Sequence, residues 1–248
     1  TVSGDEDRVG GLIGAVAGNG SVRDSKANGS VTGGNQSGGL IGQNNGSVTG
    51  SSASGDVTST EDSIGGVVGY SDGTVTESYA SGNVTGNQSV GGLVATNDGS
   101  VNDTYAAGSV TGNQSIGGLV GTNDGTVNAT YAAGSVTGNQ SAGGLVGENT
   151  GSVDNAYWDV NTTGHDTSAG SATGLTTSQL KANISLAGFD FTNTWAVKTG
   201  VEKSYPYLLN NTQSPAPGLG SLFAGGDGTE ANPYQIADWN DLDNVRNA

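Results

Sequence analysis

Asparagine followed two residues later by Ser or Thr is the most frequent chemical motif in this chain. It occurs at Asn19, Asn28, Asn35, Asn45, Asn83, Asn87, Asn102, Asn113, Asn128, Asn139, Asn161, Asn183 and Asn210. The amide of such an asparagine accepts an N-linked sugar when it stands on an exposed corner of a secreted chain. Asn35, Asn87, Asn113 and Asn139 all open the same tripeptide, Asn-Gln-Ser, and Glu61 takes that slot in one repeat. These four corners are the first expected sites of glycosylation, followed by Asn45, Asn83, Asn102 and Asn128. A second recurring set is Asp72, Asp98 and Asp124, each before glycine. Calcium prefers such oxygen ligands, but Asp-Gly is also ordinary turn chemistry, and the glycine-rich nonapeptide of calcium-binding rolls is absent. Turns are therefore expected, with no metal and no cofactor. Catalysis is not expected either. His165 is the single histidine and stands beside Asp166, and no nucleophile elbow, phosphate loop or metal-spaced cluster appears.

Those motifs recur because the chain repeats. Gly-Gly pairs begin at 10, 38, 65, 91, 117 and 143, so the steps shorten from 28 to 27 and then hold at 26. Periods of this size mark a stacked array in which each unit buries its faces against its neighbours. Within a unit, short β-prone runs such as GGLVG, TVNATYA and SVTG alternate with the turn formers TNDG, AAG and GNQS. The reading is an all-β fold: a β-solenoid of about six triangular coils, 26–28 residues each. Coils about 4.8 Å apart give a rod on the order of 29 Å long. Helical repeats are excluded by the lack of 3.6-residue periodicity, and collagen by the glycine spacing.

Stacking turns each repeat position into a file. Val75, Val101, Val127 and Val153 form one expected interior file, and Val84, Val110 and Val136 another. Neighbours on a strand face opposite ways. Either Leu93, Leu119 and Leu145 or Val94, Val120 and Val146 should therefore lie outside or at a corner. Tyr79, Tyr105, Tyr131 and Tyr157 make a further file. It either buttresses the rod beneath a covering segment, which is the preferred reading, or offers a strip for carbohydrate.

Composition narrows the setting. The 248 residues include 46 glycines and no cysteine, and 7 basic against 23 acidic residues leave a net charge of −16. Nucleic acid is excluded as a partner, because little here could neutralise phosphates. No stretch is long and apolar enough for a transmembrane helix. The start shows no leader pattern, so any signal peptide is expected to have been removed. An acidic surface poor in lysine suits concentrated salt, where the screening length falls to about 3 Å at 1 M.

GGLVGTNDGTVNATYAAGSVTG, residues 117–138, resembles the GLUG motif, a repeat of large bacterial and archaeal surface proteins. AYWDVNTTGHDTSAGSATGLTTSQL, GFDFTNTWAV and YPYL are similar to the segment that closes such arrays. FAGGDGTEANPYQIADWNDLDNVRNA resembles the one that opens them, here standing after the closing segment as in a permuted module. The resemblance implies a secreted or surface-displayed β-solenoid, often in adhesins, with no catalytic residues. The expected domains are the solenoid (1–160), a small mixed closing segment (161–209), a linker (210–221) and a docking segment (222–248). Trp158, Phe189, Phe191 and Trp195 are expected to provide apolar cover. In the last segment PYQI can add a strand and ADWNDLDNVRN can form an amphipathic helix, so Tyr234, Ile236, Trp239, Leu242 and Val245 are the candidate docking residues. A heterologous head-to-tail contact of this kind makes a filament. Fold-back of the tail, or a chain cut from a longer tandem adhesin, stay open beside it. The expected role is a structural subunit of an extracellular filament or adhesin of a salt-loving, archaeal microbe. The alternative is a monomeric module binding glycans or surfaces through its Tyr or Thr files.

Overall fold

The computed structural model describes residues 1–4, 6–181, 183–199, 203–211, 213 and 216–217. Successive repeats lie one above another in parallel register, Val101 beside Val127 beside Val153, and Tyr105 beside Tyr131 beside Tyr157. The chain is a β-solenoid of about six coils. Four parallel sheets line it. A Val-Thr sheet of six strands runs from Val2–Ser3 to Val136–Thr137, and a sheet of five runs from Ser37–Gly38 to Gln140–Gly143. A third, of six strands, runs from Ile13–Val16 to Val146–Asn149. The fourth is a taller wall that includes Ser100–Ala106, Thr126–Ala132 and Ser152–Asp159.

A coil therefore has four strand segments where three were read. The extra one is the Asn-Gln-Ser stretch: Gln114–Gly117 stays hydrogen-bonded to the coils on either side. It turns without leaving the sheet because Ser115 is left-handed, with φ +55, as are Ser89 and Ser141. A second left-handed file sits inside the tall wall at Asp24, Gly50, Glu77, Asp103, Ala129 and Asn155. Non-glycine residues seldom adopt this region. Here inter-coil hydrogen bonds on both sides hold them in it.

The Leu-Val expectation resolves at the corner. Leu93, Leu119, Leu145 and Val94, Val120, Val146 are all fully buried. Each leucine lies in the bend just before its strand, so the chain rotates between the two residues and both side chains reach the core. The Gly-Gly pair makes that corner fit. A Cβ on Gly92 would collide with the carbonyl oxygen of Gly118 one coil away. The valine files at 75–153 and 84–136 are interior as expected, in two separate clusters.

The interior also holds a polar file absent from the sequence reading. Asn44, Ser71, Asn97, Asn123 and Asn149 are in register. Asn97 Nδ2 donates to Asn123 Oδ1 at 2.7 Å, and Asn123 Nδ2 donates to Asn149 Oδ1 at 2.7 Å. The amides also bond backbone carbonyls, as Asn97 does to Thr126. Ser71 interrupts the file: it accepts from Asn44 but leaves Asn97 Oδ1 buried without a partner. Ser71→Asn is expected to join the two halves of the ladder. The gain of one buried hydrogen bond, about 1 kcal/mol, corresponds to a rise in melting temperature of about 2–4 °C for a chain of this size. A calorimetric scan showing no rise would contradict this account.

Candidate functional site

The candidate sugar acceptors form several separate files on the outside of the rod. Asn113 N bonds the Asn87 carbonyl, and Asn139 N bonds the Asn113 carbonyl. Asn87 N bonds Glu61 in turn, so Glu61 does take the asparagine slot. Asn35 does not share this file. It lies one residue out of step and accepts from the backbone N–H of Asp62 at 3.2 Å. The corner from Thr32 to Gly38 is as long as that from Thr85 to Gly91, but two glycines, Gly33-Gly34, precede Asn35 where the single Gly86 precedes Asn87, so Ser37 pairs with Ile64. None of the eight candidates is buried. Asn45, Asn83, Asn113 and Asn139 are exposed, whereas Asn35, Asn87, Asn102 and Asn128 are half-buried. Asn87 donates its amide to Asp62 at 3.0 Å, Asn35 donates to Asp7 at 3.1 Å, and Asn139 donates to Asn113 at 3.0 Å. Asn102 and Asn128 stand side by side on the tall wall.

The tyrosine file is a buttress. Tyr79, Tyr105 and Tyr131 stack with ring centroids 5.0 and 5.1 Å apart, and all three are buried. The closing segment runs down over them. Trp195 tilts onto both Tyr105 and Tyr131, Phe189 packs on Trp195 at 4.6 Å, and Leu180, Leu186 and Leu208 complete a second core. Further along, Tyr105 donates to Gln213, and Asn211 donates to the carbonyls of Ser51 and Glu77. The segment thus straps the flank from the sixth coil back to the second. Burial holds the Tyr105 and Tyr131 phenols well above their usual range. An exposed tyrosine strip for carbohydrate is not available.

The same segment covers one end of the rod. Trp158 stands in register with Ala132, at the place alanines occupy in earlier coils, and its Nε1 donates to the His165 carbonyl at 2.8 Å. Its ring lies against Gly144. The strand Thr173–Leu175 pairs with Tyr157–Asp159, Ser168 Oγ receives the N–H of Val146, and Gly144 N–H donates to the Thr167 carbonyl. Two short helices, α1 (Val160–Thr163) and α2 (Thr177–Leu180), begin at Asp159 and Thr176, which cap them. Asp159 also accepts from Tyr205 at 2.5 Å, tying cap to strap. Of the four expected cover residues, Trp158 covers the end, Phe189 and Trp195 cover the side, and Phe191 stacks on Phe189. His165 belongs to the cap, with its ring 3.2 Å from the Val136 carbonyl.

The aspartates before glycine lie exposed at turns, and Tyr70 donates to Asp98 at 2.6 Å, which pushes its phenol up to about 12. Among the described residues no group of three His, Cys, Asp or Glu side chains is placed to hold a metal ion. Thr32, Thr58, Thr85, Thr111 and Thr137 make an unbroken exposed file, regular despite the mixed residues around it.

At the other end of the rod the first coil supplies the outermost strands, Ile13–Val16 and Ser21–Arg23. The leucine corner emerges there: Leu12 is 53% exposed, against 0% for Leu40, Leu93, Leu119 and Leu145. Tyr234, Ile236, Trp239, Leu242 and Val245 lie outside the described residues.

The family model described as the GLUG motif matches residues 7–32, 33–58 and 62–85, which are the first three coils. No curated protein and no solved structure matches the chain. The later coils continue the matched ones in unbroken register.

A carboxylate of the tall wall, Asp103, lies under the strap. Asp103 is half-buried in the left-handed file and accepts from Trp195 Nε1 at 3.0 Å. Burial raises its pKa, the charges of Glu77 and Asp190 add to that, and the Trp195 bond opposes it. A folded pKa above the unfolded one stabilises fully below the unfolded value, about 3.9, and that stability is lost as pH rises through the folded value. Asp103→Asn keeps an acceptor for Trp195 and suits the left-handed backbone. It is expected to raise the melting temperature at neutral pH, with the advantage shrinking as pH falls below the carboxylate range. A gain that did not vary with pH would assign the effect to the backbone instead of the charge.

Proposed function

We propose that this GLUG-repeat β-solenoid is a structural subunit of an extracellular filament or cell-surface adhesin. GLUG repeats wound as a β-solenoid fit a surface or adhesin-like repeat protein, and no helix among the described residues is long and apolar enough to cross a membrane. The proposed assembly is head to tail: residues 222–248 of one copy dock on the first coil of the next. The contrast between the ends carries this reading. One end is sealed by Trp158 and its neighbours, whereas at the other the leucine corner is open at Leu12. Edge strands of this kind pair readily with an added strand, and a heterologous contact that does not close propagates. The role is one of scaffold and contact, not of catalysis.

Exposed asparagines at Asn45, Asn83, Asn113 and Asn139 support N-linked sugars along the rod. The net charge of −16 supports life in concentrated salt, and a salt-loving archaeal host is part of this reading. A second reading, a monomeric module that contacts glycans or a flat surface, draws on the exposed threonine file; a glycan array on the full chain and on the chain lacking 222–248 would separate the two.

Two measurements test the proposal. Deleting residues 222–248 is expected to leave monomers where the full chain forms filaments by electron microscopy; filaments that persist without the tail would refute tail docking. The intact mass of native material is expected to exceed the sequence mass by sugar increments. An unshifted mass removes the glycans while leaving the assembly untouched.

A further inference from the structure

The charges of this chain are unevenly placed. From residue 27 to residue 180 the sequence has no Lys or Arg, so the coils beyond the first carry acidic side chains only. The first coil carries Arg8, Arg23 and Lys26, all exposed. Two of them share one edge. Ser21–Arg23 and Lys26–Ala27 are the outermost strand segments of the tall wall, each paired on one side, with Ser47–Thr49 and Ser52–Ala53.

Lys26 heads the file that passes through Ser52 to Tyr79, Tyr105 and Tyr131. Among the described residues, the strap that buries those tyrosines reaches as far as the Ser51 carbonyl, one coil short of Lys26. The edge there is bordered by Arg23 and Lys26; in the same coil Val16 and Val22 are buried and Leu12 is exposed. Asp24, left-handed with φ +47, is the one carboxylate in that edge segment and lies between the two cations in sequence.

The chain contains a complement to this edge. Residues 222–248 hold Asp227, Glu230, Asp238, Asp241 and Asp243 against the single cation Arg246, and three of those aspartates fall within six residues of one another. They are interleaved with Trp239, Leu242 and Val245, so one segment offers both apolar groups for the exposed Leu12 corner and carboxylates for the flanking cations.

We propose that the Arg23–Lys26 edge of the first coil is the receptor for the acidic 238–243 stretch of a second copy, and that this charge match selects the first coil over the acidic walls. The inference rests on the head-to-tail reading and adds the residues that specify it. At about 0.1 M salt, where the screening length is about 10 Å, a docking tail of net negative charge is repelled along the length of an all-acidic rod; in concentrated salt the match acts only between groups in contact. The first coil also carries Asp5, Glu6, Asp7 and Asp24, so it is the Arg23–Lys26 edge, not the coil as a whole, where that repulsion turns to attraction, which fixes where the next copy joins and in which direction the array grows.

The test is a charge swap in the full chain, read as the critical concentration for filament formation by sedimentation and electron microscopy at about 0.1 M salt. Arg23→Glu with Lys26→Glu is expected to raise that concentration about tenfold or more, and Asp238→Lys with Asp241→Lys is expected to do the same. Combining all four changes is expected to bring it back to within about threefold of the starting chain. All four positions lie outside the buried core files or beyond the described coils, so circular dichroism of each variant serves as the check on folding, and Arg23→Gln with Lys26→Gln is a milder replacement should the reversal unfold the first coil. Filaments that form equally well with reversed edge charges would overturn the charge match and leave head-to-tail docking standing. Reversals that both weaken assembly without mutual rescue would overturn the pairing. A full chain that stays monomeric at every concentration would overturn the docking reading and this inference together.

Discussion

Everything in this structure depends on one constraint: each coil finds its backbone hydrogen-bond partners in the coil above and the coil below, in strict register. Leu93 and Val94 both donate to the Leu119 carbonyl, and Leu119 and Val120 both donate to that of Leu145. A buried backbone group without a partner is costly, so a position that fits in one coil must fit at the same height in the next. Side chains are sorted by that rule into files of like residues. The Gly-Gly corner is its sharpest expression. There the carbonyl of one coil approaches the next so closely that no Cβ is tolerated at Gly66, Gly92 or Gly118.

The files then divide the work. Val, Leu and Ala files fill two narrow cores that no single coil could bury alone. The asparagine file brings side-chain amides inside but satisfies them along the rod axis, parallel to the backbone bonds, so burial and hydrogen bonding are met together. Tyrosine forms the third file and is the only one too large for the coil interior. It faces outward and becomes interior only because the closing segment lies over it. Trp195, Phe189 and three leucines supply the apolar mass that glycine-rich strands lack. At about 1.5–3 kcal/mol for each large side chain fully buried, that second core contributes on the same scale as the net stability of an ordinary domain.

Repetition decided which parts were legible in the sequence. The period, the coil count, the parallel stacking and the valine files could be read because a 26-residue recurrence with no helical periodicity has few other solutions. The fourth strand segment was hidden by Ser115: an Asn-Gln-Ser run reads as a turn, and nothing local announces that a left-handed serine can turn a corner while staying in the sheet. The asparagine ladder was hidden for a related reason, since Asn97 and Asn123 precede Asp-Gly and look like turn formers although they face inward. A cue was present in the recurrence of Asn at that one place in four of the coils. Asn35 was placed in the wrong file because identical tripeptides were aligned by letter, whereas the hydrogen bonds align by height. The path of the strap could not be read at all. It is long-range and unrepeated, and Asn211 meets Ser51 across 160 residues.

A parallel solenoid is polar, and its two ends cannot be equivalent. At the sixth coil the register rule is satisfied by a strand, by a serine hydroxyl and by a tryptophan standing where earlier coils have alanine. At the first coil the same rule leaves edge strands and the head of the leucine file facing outward. A segment paired on that end presents extended backbone at the height of the next coil, an apolar group over Leu12, and no side chain at the Gly-Gly corner. Another coil meets all three requirements, and so does a short strand carrying a few apolar side chains.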